Sequence, residues 1–109
     1  MRVWDIAPKK LCDQHLLGEH SEIHAIWSIL TEEKQSYRDH PEVRRWEGKL
    51  KALHRRHQRT LEEMKDRGFS HESSLDRSLA TGDEKQNELI DSLEEQRKIL
   101  NEKNCKCDL

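Results

Sequence analysis

Glycine and proline are scarce in this chain, at four and two residues of 109, and phenylalanine and tyrosine occur once each. So few turn formers exclude the many short strands and tight turns that an all-β sandwich or barrel requires. No run approaches the ~20 apolar residues of a membrane-spanning helix, and MRVWDIAPKK lacks the apolar stretch of a signal peptide. A cytoplasmic location without a membrane partner is expected. The three cysteines, Cys12, Cys105 and Cys107, are odd in number and lack paired C-x-x-C spacing. They read as free thiols in a reducing compartment.

What the chain has in abundance is charge: 39% of residues are charged and only 32% hydrophobic, which leaves room for one domain with a modest core. The net charge of −2 conceals an asymmetry, with residues 1–70 at +2 and 71–109 at −4. Between 44 and 59 lie Arg44, Arg45, Lys49, Lys51, Arg55, Arg56 and Arg59 against Glu47 alone. Against this polar background the first six residues, MRVWDI, place Val3, Trp4 and Ile6 where most chains are loose and polar. Such a hook pins the N-terminus to a core.

Periodicity predicts an all-α bundle of about three helices, over approximately 8–30, 41–67 and 83–103. In the first, Cys12, Leu16, Ile23, Ile26, Trp27 and Leu30 share one side, with His15 and Glu22 lined up on the edge of that stripe. In the second, Val43, Trp46, Leu50, Leu53, His57, Leu61 and Met64 keep a 3-4 spacing, Pro41 suits the first turn and Gly68 the left-handed stop. Gly18 and Gly48 fall inside these helices, where close helix crossing would explain them. After the loop-like GFSHESSLD, Leu89, Ile90, Leu93 and Leu100 form the apolar face of the third, a cover or dimerisation helix, and NCKCDL reads as a frayed tail. The organisation is a helical core over 1–76 with an additional charged helix and tail over 77–109, in one domain.

Seven histidines raise the question of metal. His20 and His24 are one turn apart, but HSEIH is not the H-E-x-x-H pattern, and their side of the helix is opposite the apolar stripe. They read as solvated, with a substrate contact or a metal site as alternatives. The C-K-C of the tail adds thiolates, yet a structural zinc needs four converging ligands, which the sequence alone does not supply. His57 reads as a core residue. The basic side of the second helix reads as a solvated face or a phosphate-binding one. Glu22, at the margin of an apolar stripe, loses hydration, which raises a carboxyl's pKa and suits it to proton transfer.

Taken as a unit, LCDQHLLGEHSEIHAIW resembles the first helix of the pyrimidine-dimer DNA glycosylases of the phage endonuclease V type. Arg2, Asp13, Gln14, His15, Leu16 and Glu22 occupy that family's arginine, D-Q-H-L and glutamate positions. The likeness continues in KLKALHRRHQRTLEEMKDRGF, where Lys49, Leu50, Leu53, Arg56, Glu63, Arg67, Gly68 and Phe69 match a family helix without a gap.

The resemblance implies a compact helical enzyme acting on duplex DNA with a damaged or abasic site, without metal or organic cofactor. Its nucleophile is an N-terminal α-amine that forms a Schiff base with C1′ of the sugar, and the matched glutamate, Glu22, assists proton movement through β-elimination. An α-amine has a pKa near 7.7–8.0 against about 10.4 for lysine, so far more of it is neutral at physiological pH. Here Arg2 follows the initiator, and a bulky second residue prevents trimming, so Met1 fills the nucleophile's place. Arg2, Gln14, His15 and His20 would line the site, and Lys49, Lys51, Arg55, Arg56 and Arg59 would attract phosphates. The family's arginines beside the glutamate are replaced by Ser21 and Ala25, and its basic aromatic tail by an acidic helix. These departures keep two other readings open: a non-catalytic helical DNA-binding or interaction protein on the same scaffold, and a His-based metal-binding helical protein.

Overall fold

The apolar stripe between 12 and 30 forms the longest helix of the protein, α1 (Asp13–Thr31), but it begins five residues later than Pro8. A computed structural model describes residues 1–70, 74–103 and 105–109; residues 71–73 of the stretch read as a loop lie outside them. Pro8 opens a single 3-10 turn, Pro8–Lys10. Cys12 then takes an extended N-cap conformation, and Asp13 places a carboxylate in the first turn, where the helix dipole favours it.

The second predicted helix is broken. A short α2 (Pro41–Arg44) is followed by a turn, and α3 (Leu50–Asp66) starts afresh. The break is at Gly48, whose φ of +76° is the left-handed conformation that glycine adopts without a Cβ penalty. Val43, Trp46 and Leu53 are buried nonetheless, so the 3-4 spacing survives the kink. α3 ends as the sequence predicts: Gly68 has φ +86°, and the N–H of Phe69 reaches back to the Met64 carbonyl at 2.9 Å.

The third predicted helix is shortened to α4 (Leu93–Glu102), capped by the Ser92 side chain, which accepts from the Glu95 N–H. Residues 80–92 do other work. The first N–H groups of α3, on Lys51 and Ala52, donate to the carbonyls of Thr81 and Asp83 at 2.8 and 3.0 Å, and the Asp83 N–H donates to the Gly48 carbonyl at 2.9 Å. This segment caps α3 with backbone, satisfying donors that a helix start otherwise leaves open. Close approach is needed at Gly82, where a Cβ would stand 2.1 Å from the Gly48 carbonyl oxygen. The reading of Gly18 and Gly48 as helix-crossing glycines is therefore corrected: nothing lies within 4 Å of a Cβ on either.

Two apolar clusters result. Ile23, Ile26, Trp27, Val43, Trp46 and Leu53 fill the space between α1, α2 and α3. Trp4, Ile6, Leu11, Leu16, Met64 and Leu100 fill the other side. Of the expected apolar face of the third helix only Leu100 is buried, while Leu89, Ile90 and Leu93 are exposed. Nor is the tail frayed: Cys107 and Leu109 pack on the second cluster, and the Asp108 N–H donates to the Lys10 carbonyl at 2.7 Å. Among the described residues there is no strand, and no helix is long and apolar enough to cross a membrane.

The glycines give a graded test. Gly48→Ala carries only the left-handed backbone penalty, about 1–2 kcal/mol, and Gly82→Ala adds a backbone clash that brings the loss to roughly 3 kcal/mol. Gly18→Ala, in open space inside a helix, gains about 1 kcal/mol. Urea midpoints measured by circular dichroism should rank Gly18→Ala, wild type, Gly48→Ala, Gly82→Ala; a Gly82→Ala protein as stable as wild type would exclude the backbone crossing.

Candidate active site

MRVWDI belongs to no helix or strand, so its buried backbone groups need partners from side chains. The Trp4 N–H donates to Glu19 Oε1 at 2.6 Å, the Val3 carbonyl accepts from Arg45 Nη2 at 2.9 Å, and the Asp5 N–H donates to Gln96 Oε1 at 2.8 Å. Alternation in this extended segment sends Val3 into the first cluster and Trp4 and Ile6 into the second. Val3 is 2% exposed and Met1 37%, so the anchoring stops just short of the first nitrogen.

Two buried ionic centres hold the hook. Glu19, on α1, also accepts from Arg56 Nε and Nη2 at 3.1 and 2.8 Å and from the Thr60 hydroxyl at 2.9 Å, both on α3. Arg45 donates to Glu42 at 2.8 Å, Asp5 at 3.1 Å and the Glu88 carbonyl at 2.9 Å, and its guanidinium lies over the Trp46 ring. Burial pushes the Glu42 carboxyl above its ordinary pKa, against the pull of Arg45 and of the Trp46 indole N–H. A third arginine, Arg67, bonds Glu63 and Asp13 and the carbonyls of Pro8 and Lys9, fastening the 3-10 turn to the end of α3.

Beside the hook lies an open cleft of about 710 Å³ lined by Met1, Arg2, Gln14, His15 and Glu22, with Trp4, Gly18, Glu42 and Lys103 among the other walls. Five of the residues singled out in the sequence thus share one surface. Glu22 is half-buried at the stripe's edge, as its position on the helix wheel predicts. Arg2 pairs with Asp91 at 2.9 Å and stacks over Trp4. Burial, and then the charge of Lys103, hold the His15 imidazole below its ordinary pKa, which keeps the ring neutral at pH 7.

The other predicted contacts lie elsewhere. Arg56 is buried on Glu19, and Lys49 is buried with its ammonium 2.9 Å from Gln86 Oε1 and 3.2 Å from Glu88. Both are structural cations rather than surface ones. Lys51 and Arg55 are exposed and share Glu84, and Arg59 is exposed beside them. His20 and His24 are not solvated surface residues: His20 is buried and His24 half-buried. The reason is α3, whose buried His57 brings Nε2 to 3.1 Å from His20 Nε2 and 3.2 Å from His24 Nε2. The core placement of His57 was legible; the meeting of the three rings was not.

The profile of one protein family, described as pyrimidine dimer DNA glycosylase, matches residues 1–77. The chain belongs to that family. The match takes in the hook, α1, α2 and α3, and leaves α4 and the tail outside it. As a pyrimidine dimer DNA glycosylase by family, the protein has DNA as its substrate class. No curated protein and no solved structure matches the chain. What sequence reading missed in this glycosylase is the support of the site: Glu19, Arg45 and Gln96. Glu19 alone carried a signal, since it lies three residues after Leu16 and four before Ile23, inside the apolar stripe.

Removing one member of the Glu19 centre strands a buried charge. Glu19→Ala should lose about 3–5 kcal/mol in chemical unfolding, and Glu19→Met combined with Arg56→Met should recover most of it. A loss below about 1 kcal/mol in the single variant would show that the pair is not buried in solution.

Proposed function

We propose that the protein is a DNA glycosylase and abasic-site lyase whose nucleophile is the α-amine of Met1. The amine nitrogen bonds C1′ of a damaged nucleotide as the bond from C1′ to the base breaks, and the base leaves with a proton. Opening of the sugar gives the Schiff base. Glu22 then takes a proton from C2′, and the bond from C3′ to its oxygen breaks in β-elimination. The observation that carries this reading is the shared cleft: an exposed residue 1 fastened at residues 3 to 5, with Glu22 lining the same cleft.

Gln14, Arg2 and His15, which line the cleft, are proposed to hold the flipped or distorted nucleotide. Phosphate attraction falls to the exposed Lys51, Arg55 and Arg59. Duplex DNA carrying a damaged or abasic site is the proposed partner, in a reducing cytoplasmic setting.

Borohydride should trap a covalent complex between the untagged protein and an abasic duplex, and N-terminal acetylation should abolish it. Glu22→Gln should slow strand cleavage by roughly 10²–10⁴-fold. A protein with an unmodified Met1 that binds the duplex yet neither traps nor nicks it is a non-catalytic binder on the glycosylase scaffold.

A further inference from the structure

The two ends of the chain meet at a group of four side chains, three of them thiols that the proposed glycosylase chemistry does not use and the fourth the cleft residue His15. The thiol sulfurs of Cys12, Cys105 and Cys107 and a ring nitrogen of His15 all lie within 4.8 Å of one another. Cys12 is the N-cap residue of α1, and His15 lies three residues on, so one pair comes from the start of a helix. The other pair arrives from the docked tail as C-x-C. We infer that Cys12, His15, Cys105 and Cys107 form a structural zinc site that fastens the C-terminal tail to the first turn of α1.

The spacing suits a tetrahedral donor set. Zn–S bonds of about 2.3 Å and Zn–N bonds of about 2.0–2.1 Å place neighbouring ligand atoms roughly 3.5–3.8 Å apart. The Nδ1 of His15 lies 3.1 Å from Cys12 Sγ and 3.6 Å from Cys107 Sγ. The second contact already has that spacing; a small expansion of the first, with closure of donor pairs that lie further apart within the 4.8 Å group, seats the ion. Three soft thiolates and one imidazole select zinc among the common divalent ions, and four protein donors leave no open coordination position. The site is closed, which suits a fastener and not a Lewis acid.

The surroundings fit the same ligand. The Cys12 N–H donates to Cys107 Sγ at 3.1 Å, a hydrogen bond to the sulfur that orients it towards the other three donors. The Trp4 ring meets the His15 ring edge-on at 5.9 Å and fixes its plane. Zinc with three thiolates and one neutral imidazole carries a net charge of −1. Lys9, Lys10 and Lys106 line the surface cleft that includes Cys12 and Cys105 and outnumber its Asp108, while Arg67 and Asp13 in the same cleft neutralise each other, so the lysines offset that charge. The sequence reading that four ligands do not converge is corrected here, because the converging pairs are 90 or more residues apart and only the fold joins them. The histidine trio is a poorer candidate, with three nitrogen donors and no sulfur among the described residues.

The site bears on the cleft through His15, which would bind zinc through Nδ1 while its ring remains part of the wall shared with Met1 and Glu22. Zinc would thus lock one wall residue and anchor the tail without entering the reaction.

Cobalt substitution of the full-length untagged protein tests the assignment. The wild type should bind one equivalent with thiolate-to-cobalt charge transfer in the near ultraviolet and the intense visible bands of a tetrahedral ion. Zinc should displace it, and should slow the reaction of the thiols with a disulfide reagent. Cys105→Ser and Cys107→Ser should each weaken zinc binding roughly 100-fold or more and diminish the charge-transfer band, whereas His24→Gln should leave both unchanged. A wild-type cobalt spectrum without charge transfer overturns the proposal, as do thiols that react equally fast with and without zinc. Zinc binding undiminished in Cys107→Ser but lost in His24→Gln also overturns it, assigning the metal to the histidines. The thiol-protection measurement needs no variant and so decides the question even if a serine variant fails to fold.

Discussion

The Glu19 carboxylate is the centre on which the arrangement of this protein depends. It is 1% exposed and takes four hydrogen bonds, from the backbone of Trp4, from two nitrogens of Arg56 and from Thr60. Three separate pieces of chain, the hook, α1 and α3, thereby share one charge. A buried pair of this kind adds little net stability, because desolvation consumes most of the Coulomb attraction. Its contribution is to register. An apolar interface between α1 and α3 tolerates sliding, whereas a carboxylate satisfied by a bidentate guanidinium does not, since a shifted helix leaves a charge stranded.

The N-terminal segment is unusual in being held without a sheet. Its carbonyls and N–H groups are met by Arg45, Glu19 and Gln96, each from a different helix or turn. Gln96 belongs to α4, and it also donates to the Asp5 carboxylate at 3.0 Å, so the last helix steadies the first residues. This gives the acidic C-terminal third, which lies outside the family match, a physical role in a site built from the first third. The extended stretch at 80–92 works similarly, capping α3 with its own carbonyls.

Much of this was legible in the sequence, and the failures have separable causes. The apolar stripe of α1, the buried faces of Val43, Trp46 and Leu53 and the stop at Gly68 follow from periodicity and from glycine's tolerance of positive φ. The break at Gly48 did not, because the 3-4 spacing continues across it. Periodicity makes α4 ten residues too long because Leu89, Ile90 and Leu93 sit at helical intervals, yet backbone before Ser92, at Thr81 and Asp83, is spent on α3. A helix wheel puts His20 and His24 in solvent because it scores a histidine as polar and cannot show that His57 meets it. Of the candidate site, Met1, Arg2, Gln14, His15 and Glu22 lie on one cleft, while Lys49 and Arg56 proved to be interior cations. Charge counts along a chain do not say which charges are neutralised inside it.

The point at which the hook is fastened also sets the length of a leash. Val3 is clamped through its carbonyl and Trp4 through its N–H, so only two residues run ahead of the clamp, and the second of them, Arg2, is tied by its side chain to Asp91. At about 3.3–3.6 Å per residue, the first nitrogen can roam no more than roughly 7 Å from that clamp. An amine so confined is presented at high effective concentration to anything that enters the cleft, and is useless to anything that does not. In the proposed chemistry the protein end hardly moves, and the large displacement, drawing a sugar out of a stacked duplex, falls to the DNA.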